Sequence, residues 1–343
     1  MSNSLRQPGY VPRYSARFCD RSGPPGADQG SILTPTSRKR EHTLYLCRDP
    51  ESLERALAEQ GIIIDDVLRE HGIDLGSSGV LLTGSLSEGF GSASSDVDLM
   101  VLMEDDAGTG SLTGRAEGSV GFRAKISREY LHYQAGVEIN IEIVSRPSMR
   151  HALSSFIQIA PALYDPSQLT AVPLLPARER RILHRLRTGW ALRGADTVAI
   201  WRDELFTELF PTYVVLARYI GHLELLEDVA AHAGESDDTF ALTARDSAAE
   251  ALWCLLALHG VTGQKNKWLA KYMGTLDDAA EAERASRILD IVFAPRRMTP
   301  DAQYSMLAEL QEISAQLLDH IRRDPGMRRA ADYLRSSIQY VPG

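Results

Sequence analysis

No run of apolar residues in the 343-residue sequence comes near the ~20 needed to cross a bilayer as a helix. The basic residues near the N-terminus have no apolar stretch behind them, so they do not read as a signal peptide. Cysteine is scarce. Cys19, Cys47 and Cys254 are widely spaced and offer neither a CxxC pair nor a disulfide framework. That pattern fits a reducing cytosol, and a cytoplasmic, membrane-free protein is expected. No repeat of fixed period is present. Net positive charge is lacking too: 37 Lys and Arg face 46 Asp and Glu, a formal balance of -9. Residues 1–40 hold seven basic side chains (Arg6, Arg13, Arg17, Arg21, Arg38, Lys39, Arg40) against Asp20 and Asp28, a local +5 that leaves -14 on the other 303. An acidic body argues against a chain that coats nucleic acid, because phosphates favour positive partners. It suits cationic small substrates, or carboxylates gathered around a metal.

What is there is ordinary in bulk. Apolar content is 44%, typical of a globular protein. The length points to about two domains, since single cores rarely grow beyond ~250–300 residues. Residues 1–40, rich in Gly, Pro, Ser and Arg, read as a flexible tail with too little apolar surface to offset chain entropy. Helical spacing of Leu53, Leu57, Ile64, Val67 and Leu68 predicts a helix over 51–72, stopped at Gly72. Val80–Thr83 and Leu99–Met103 are short apolar runs, read as strands buried on both faces. Residues 107–121 are loaded with Gly, Ser and Thr and read as a loop. A period of two over Val137–Val144 predicts a strand, paired with 128–134 through a turn at Ala135-Gly136. Beyond Pro173 and Pro176 the pattern turns helical. Leu205, Leu209, Val214, Leu216, Ile220 and Leu223 suggest one long helix with Pro211 placed to kink it. The expected organisation is a tail over 1–40, an α+β domain with a mixed sheet over 44–170, and an α-helical domain over 171–340.

Chemistry concentrates in the segment Gly84–Asp98, between the first two predicted strands. Asp96 and Asp98 stand at i and i+2, so both carboxylates share one strand face while Val97 and Leu99 face the core. Paired carboxylates repel unless a cation lies between them, and a hard divalent ion such as Mg²⁺ suits oxygen ligands. The Gly84-Ser85 turn offers backbone N–H groups and a hydroxyl as a phosphate cradle.

This segment resembles the signature of the nucleotidyltransferase superfold shared by DNA polymerase beta, aminoglycoside nucleotidyltransferases, and MNT-type and cGAS-like enzymes. The form Gly-Ser-x-x-x-Gly-x-x-x-x-x-Ser-Asp-x-Asp is matched at Gly84, Ser85, Gly89, Ser95, Asp96 and Asp98. The resemblance covers about residues 78–147 and points to an aminoglycoside nucleotidyltransferase or MNT-type member, of which the aminoglycoside-modifying type fits the chain size and acidic body. It implies transfer of a nucleoside monophosphate from an NTP, ATP first, to a hydroxyl or other nucleophile of a small molecule, with pyrophosphate released. It implies two Mg²⁺ ions held by Asp96, Asp98 and a third carboxylate. Glu142 is favoured for that role and Glu138 stays open. Gly84, Ser85 and Ser95 would serve the phosphates. In the helical domain, Lys267, Lys271 and Tyr272 are candidates for triphosphate or base contacts, with Lys267 and Lys271 on one helix face by their spacing.

Arg178, Arg181 and Arg185 fall on one face of a predicted helix. A solvated face with compensating acids outweighs triphosphate or RNA binding as its reading. His184 and His259 lack metal-ligand spacing and read as structural. Alternative functions are a protein-AMPylating enzyme, an oligonucleotide- or cyclic-nucleotide-forming enzyme, and an inactive nucleotide-binding relative. Retention of both aspartates speaks against the last.

Overall fold

The computed structural model describes residues 43–105, 120–123, 127–163, 172, 174–235, 238–263, 265–324, 327–328, 331 and 334. The expected tail, and nearly all of the expected loop over 107–121, lie outside them.

Among the described residues, six strands build one mixed sheet. They are β1 (Gly79–Thr83), β2 (Val97–Met103), β3 (Val120–Arg123), β4 (Ser127–Gln134), β5 (Val137–Ser145) and β6 (Trp190–Arg193), in the order β3-β4-β5-β2-β1-β6. Only β2 and β5 run parallel; the other neighbours are antiparallel. The β4–β5 hairpin closes at Ala135 and Gly136, both at positive φ (52° and 84°), as a two-residue turn with right-handed strand twist requires.

The helices are α1 (Pro50–Ala58), α2 (Ile64–Glu70), α3 (Gly84–Ser87), α4 (Arg146–Ala152), α5 (Ser154–Leu163), α6 (Ala177–Thr188), α7 (Ala195–Glu204), α8 (Phe210–His232), α9 (Thr239–Leu258), α10 (Leu269–Met273), α11 (Ala279–Val292) and α12 (Pro300–Arg323). One face of the sheet, with Val97, Leu99, Val101, Ile139, Ile141 and Ile143, packs with Leu53 and Leu57 of α1 and Val67 and Leu68 of α2. The other face, with Leu81, Met100, Leu102 and Val144, is continuous with the core of the C-terminal helices. Met100 and Leu102 are fully buried, each worth about 1.5–3 kcal/mol relative to exposure. The fold class is therefore α+β with a mixed sheet, followed by a helical region, as the sequence pattern implies. No described helix is long and apolar enough to cross a membrane.

Three expectations change. The helix over 51–72 is two helices, split where Gly61 takes φ 77°, a left-handed stop that periodicity alone does not register. Pro211 does not kink a helix. It sits in the first turn of α8, where its missing N–H costs nothing, while Leu205 caps α7 and Leu209 ends the 3-10 turn Thr207–Leu209. The stretch after Pro176 is not purely helical: Trp190–Arg193 forms β6 and extends the sheet beside β1. A four-residue strand is too short to show a period of two.

Candidate active site

β1 and β2 are neighbours, and the segment between them must turn back within a few residues. It does so through α3, whose first residue, Gly84, has φ 76°. A Cβ on Gly84 would fall 2.2 Å from Oδ2 of Asp98. Glycine is thus required twice, for the backbone and for the space the carboxylate fills. Gly84→Ala is expected to lose about 1–2 kcal/mol from the backbone alone, and more from displacing Asp98. Urea unfolding measures this, and an unchanged midpoint would mean the turn relaxes freely.

The Gly-Ser turn is braced by its own hydroxyls. Ser85 Oγ donates to Ser95 Oγ at 3.3 Å, and the Ser92 N–H donates to the same Ser95 oxygen at 2.8 Å. Across from Asp98 on β5 stands Asn140, whose Nδ2 donates to Asp98 Oδ1 at 3.3 Å. Glu142 lies two pairs further along, opposite Met100, and is only 4% exposed. Arg185 of α6 joins the two acids: Nη1 donates to Glu142 Oε2 at 2.7 Å, and Nη2 is 3.8 Å from Asp98 Oδ1. The second oxygen of Glu142, Oε1, is buried without a hydrogen-bond partner. Glu138 sits nearer the surface, accepting from the Tyr133 hydroxyl at 3.1 Å.

The Gly-Ser turn, Asp98 and Arg185 border a cleft of about 750 Å³. It is lined by Gly84, Ser85, Ser95, Asp96 and Asp98 from the segment after β1, and by the cations Arg178, Arg181, Arg185, Lys265 and Lys267. A smaller cavity of about 360 Å³ adjoins Asp98 and is lined by Glu129, Glu138, Asn140 and Glu142 with Arg181 and Arg185. Burial pushes the Asp98 carboxyl above its usual range and Asp96 adds to the rise; Arg185, Asn140 and Lys265 oppose it. Burial, then the charge of Arg185, holds the Lys265 ammonium below its usual value, with Lys267 and Arg181 acting the same way. The cations crowd one another, and an anionic ligand would relieve them.

The oxygen set fits a divalent cation. Asp96 and Asp98 share the cleft wall, Asp98 is buried at a cost to its charged form, and Glu142 keeps an unpartnered oxygen. The fit is open rather than closed. Among the described residues, Asp96, Asp98 and Glu142 do not bring three ligand atoms within 4.8 Å of one another.

The other expected residues divide. Lys267 lines the cleft, its ammonium 4.8 Å from the Trp268 ring centre. Tyr272 also lines it and donates its hydroxyl to Glu88. Lys271 is turned elsewhere: its ammonium donates to the Phe90 carbonyl at 2.8 Å and lies 4.4 Å from the Trp268 ring centre. Lys267 and Lys271 do not share a helix face, because Lys267 belongs to the 3-10 turn Asn266–Trp268 ahead of α10. They flank Trp268 instead. Arg178 and Arg181 have a compensating acid, each 3.9 Å from Glu129, but Arg185 is no solvated side chain, at 15% exposure.

Sequence reasoning passed over Glu88 and Lys265. Glu88 ends α3 beneath the cleft, 3.3 Å from Nε2 of His184, whose Nδ1 meets the buried Thr262 hydroxyl at 2.9 Å. Burial raises the Glu88 carboxyl, but His184, Tyr272 and Lys265 together outweigh it and hold it below its usual range. Neither residue carries a signal in its local pattern; both matter through partners far along the chain.

The chain matches no family model and no curated protein. Among solved structures it is similar to a nucleotidyltransferase-like protein from Exiguobacterium sibiricum 255-15. The identity is 13%, covering 79% of this chain and 78% of that one, with a TM-score of 0.40.

Proposed function

We propose that the chain is a metal-dependent nucleotidyltransferase, moving a nucleoside monophosphate from an NTP onto a nucleophile of a small molecule. One observation carries this reading: Asp98 of β2, Asp96 just ahead of that strand, and a bank of arginines and lysines line a single cleft. Carboxylates and cations lining one cleft suit a polyanion that arrives with a divalent metal. Mg²⁺ would be held by Asp96 and Asp98, with Oε1 of Glu142 as a buried, unpartnered carboxylate oxygen on the neighbouring strand. When bound, it would supply charge neutralisation and acidify an acceptor hydroxyl.

The chain's own groups divide the remaining work. The α3 backbone N–H groups and the Ser85 hydroxyl, braced by Ser95, cradle phosphate oxygens without Cβ obstruction. Lys265, Lys267, Arg181 and Arg185 oppose the negative charge that builds as the α-phosphorus is attacked and pyrophosphate leaves. The Trp268 and Tyr272 rings at the cleft edge offer apolar surface for a base. Glu142 is the favoured third carboxylate, and its second oxygen is positioned through Arg185. Five cations against the four acids Glu88, Asp96, Asp98 and Glu129 argue against a polycationic aminoglycoside as acceptor. A neutral or anionic small molecule fits the walls better.

The test is direct. Calorimetry with ATP, GTP, CTP and UTP should show binding that strengthens with Mg²⁺, and an acceptor panel should give Mg²⁺-dependent pyrophosphate. If no triphosphate binds, the reading is wrong. Binding without turnover on any acceptor would favour a nucleotide-sensing relative.

A further inference from the structure

The helical region holds a second cluster of metal-ligating side chains, away from the cleft. His259 follows the C-terminus of α9, Glu281 lies in the first turn of α11, and His320 lies in the last turn of α12. One ligand atom from each lies within 4.8 Å of the other two, the one such trio of His, Cys, Asp or Glu among the described residues. We propose that His259, Glu281 and His320 bind a divalent first-row transition metal, zinc by their donor chemistry. The sequence reading treats His259 as a lone histidine. Its partners lie on two other helices, and no local spacing reveals them.

The geometry is close to what the ion needs. Two ligands of a tetrahedral zinc with arms of ~2.0–2.1 Å stand roughly 3.4 Å apart. His320 Nδ1 is 3.3 Å from Glu281 Oε1. The His259 and His320 rings meet edge to face, with centres 5.6 Å apart and planes at 88°. Both imidazoles can therefore turn a nitrogen toward one point without stacking. Glu281 is already oriented by a neighbour: Arg284 Nη1 donates to Oε1 at 2.6 Å and to Oε2 at 2.5 Å, while Arg284 Nε donates to Gln316 at 3.0 Å. When the metal takes Oε1, Arg284 keeps Oε2, and this outer partner fixes the carboxylate as such partners do around zinc.

Three protein ligands leave a fourth position for water. An open pocket of about 590 Å³ beside Glu281 and His320 gives access to it. The bound ion would tie the end of α9 to the start of α11 and the end of α12.

The experiment uses the full chain, stripped with a chelator and titrated with zinc sulfate by calorimetry. Wild type and Asp98→Asn should each take up one equivalent, which keeps this site distinct from any metal at the cleft. Melting temperature should rise as zinc exceeds its Kd. His259→Ala, at an exposed position, and His320→Gln should each weaken binding by at least about tenfold and remove the thermal shift. Cobalt(II) in place of zinc should give visible bands of a nitrogen-ligated ion in wild type and not in His259→Ala. No uptake by wild type, or an unchanged Kd in either histidine variant, overturns the proposal.

Discussion

Asp98→Asn should lower Mg²⁺-dependent pyrophosphate release by at least about 10²–10³-fold while leaving the protein as stable as wild type, or more so. The two halves of that result come from one fact. Burial makes the ionised form of Asp98 costly, and Asp96 adds to the cost. A charge held against desolvation must be repaid by a ligand, and asparagine removes both the cost and the ligand. The side-chain oxygen facing Asn140 remains. Turnover and melting temperature, measured on the same preparation, check the pair of outcomes. A variant keeping about a tenth of wild-type turnover would remove Asp98 from the reaction. One that unfolds would show the carboxylate to be structural.

Arg185→Ala is expected to destabilise the fold by about 3–5 kcal/mol, the range for breaking one side of a buried ion pair. Its removal strips Glu142, 4% exposed, of the guanidinium 2.7 Å from its Oε2. In a chain of this size that loss lowers the melting temperature on the order of ten degrees. Adding Glu142→Gln to the same chain should recover most of the loss, because the uncompensated charge is gone. The single variant Glu142→Gln then separates two roles. If Glu142 only anchors Arg185, its loss weakens triphosphate binding and leaves the Mg²⁺ requirement unchanged. If Oε1 is a metal ligand, more Mg²⁺ is needed for half-maximal activity. Additivity of Arg185→Ala and Glu142→Gln would show that the pair is not coupled.

The site was legible where function follows local spacing. Alternation along β2 puts Asp98 on the face opposite Val97 and Leu99, Asp96 just ahead of the strand lines the same cleft, and Gly84 with Ser85 announces a tight turn. The cationic wall was half legible. The arginine face of α6 is a matter of helical spacing, but its direction depends on β6, a strand too short to declare itself. Glu138 and Glu142 could not be ranked from alternation, which places them on one face alike; what differs is their partners, and Arg185, which donates to Glu142, lies 43 residues beyond it. The split of 51–72 and the place of Pro211 were lost for a related reason. Apolar periodicity runs through a left-handed glycine or a first-turn proline without a break.

Strand β6 bears on motion as well. It follows α6 directly and pairs with β1, while β1 leads straight into the Gly84 turn. The arginine wall and the phosphate cradle are thus anchored to adjacent strands of one sheet, and no hinge separates them. Lys265, Lys267, Trp268 and Tyr272 come from the segment between α9 and α11, held to the cradle side by Tyr272 on Glu88 and Lys271 on the Phe90 carbonyl. Any breathing of the cleft during a catalytic cycle would fall to that segment, with two side-chain latches setting how far it opens.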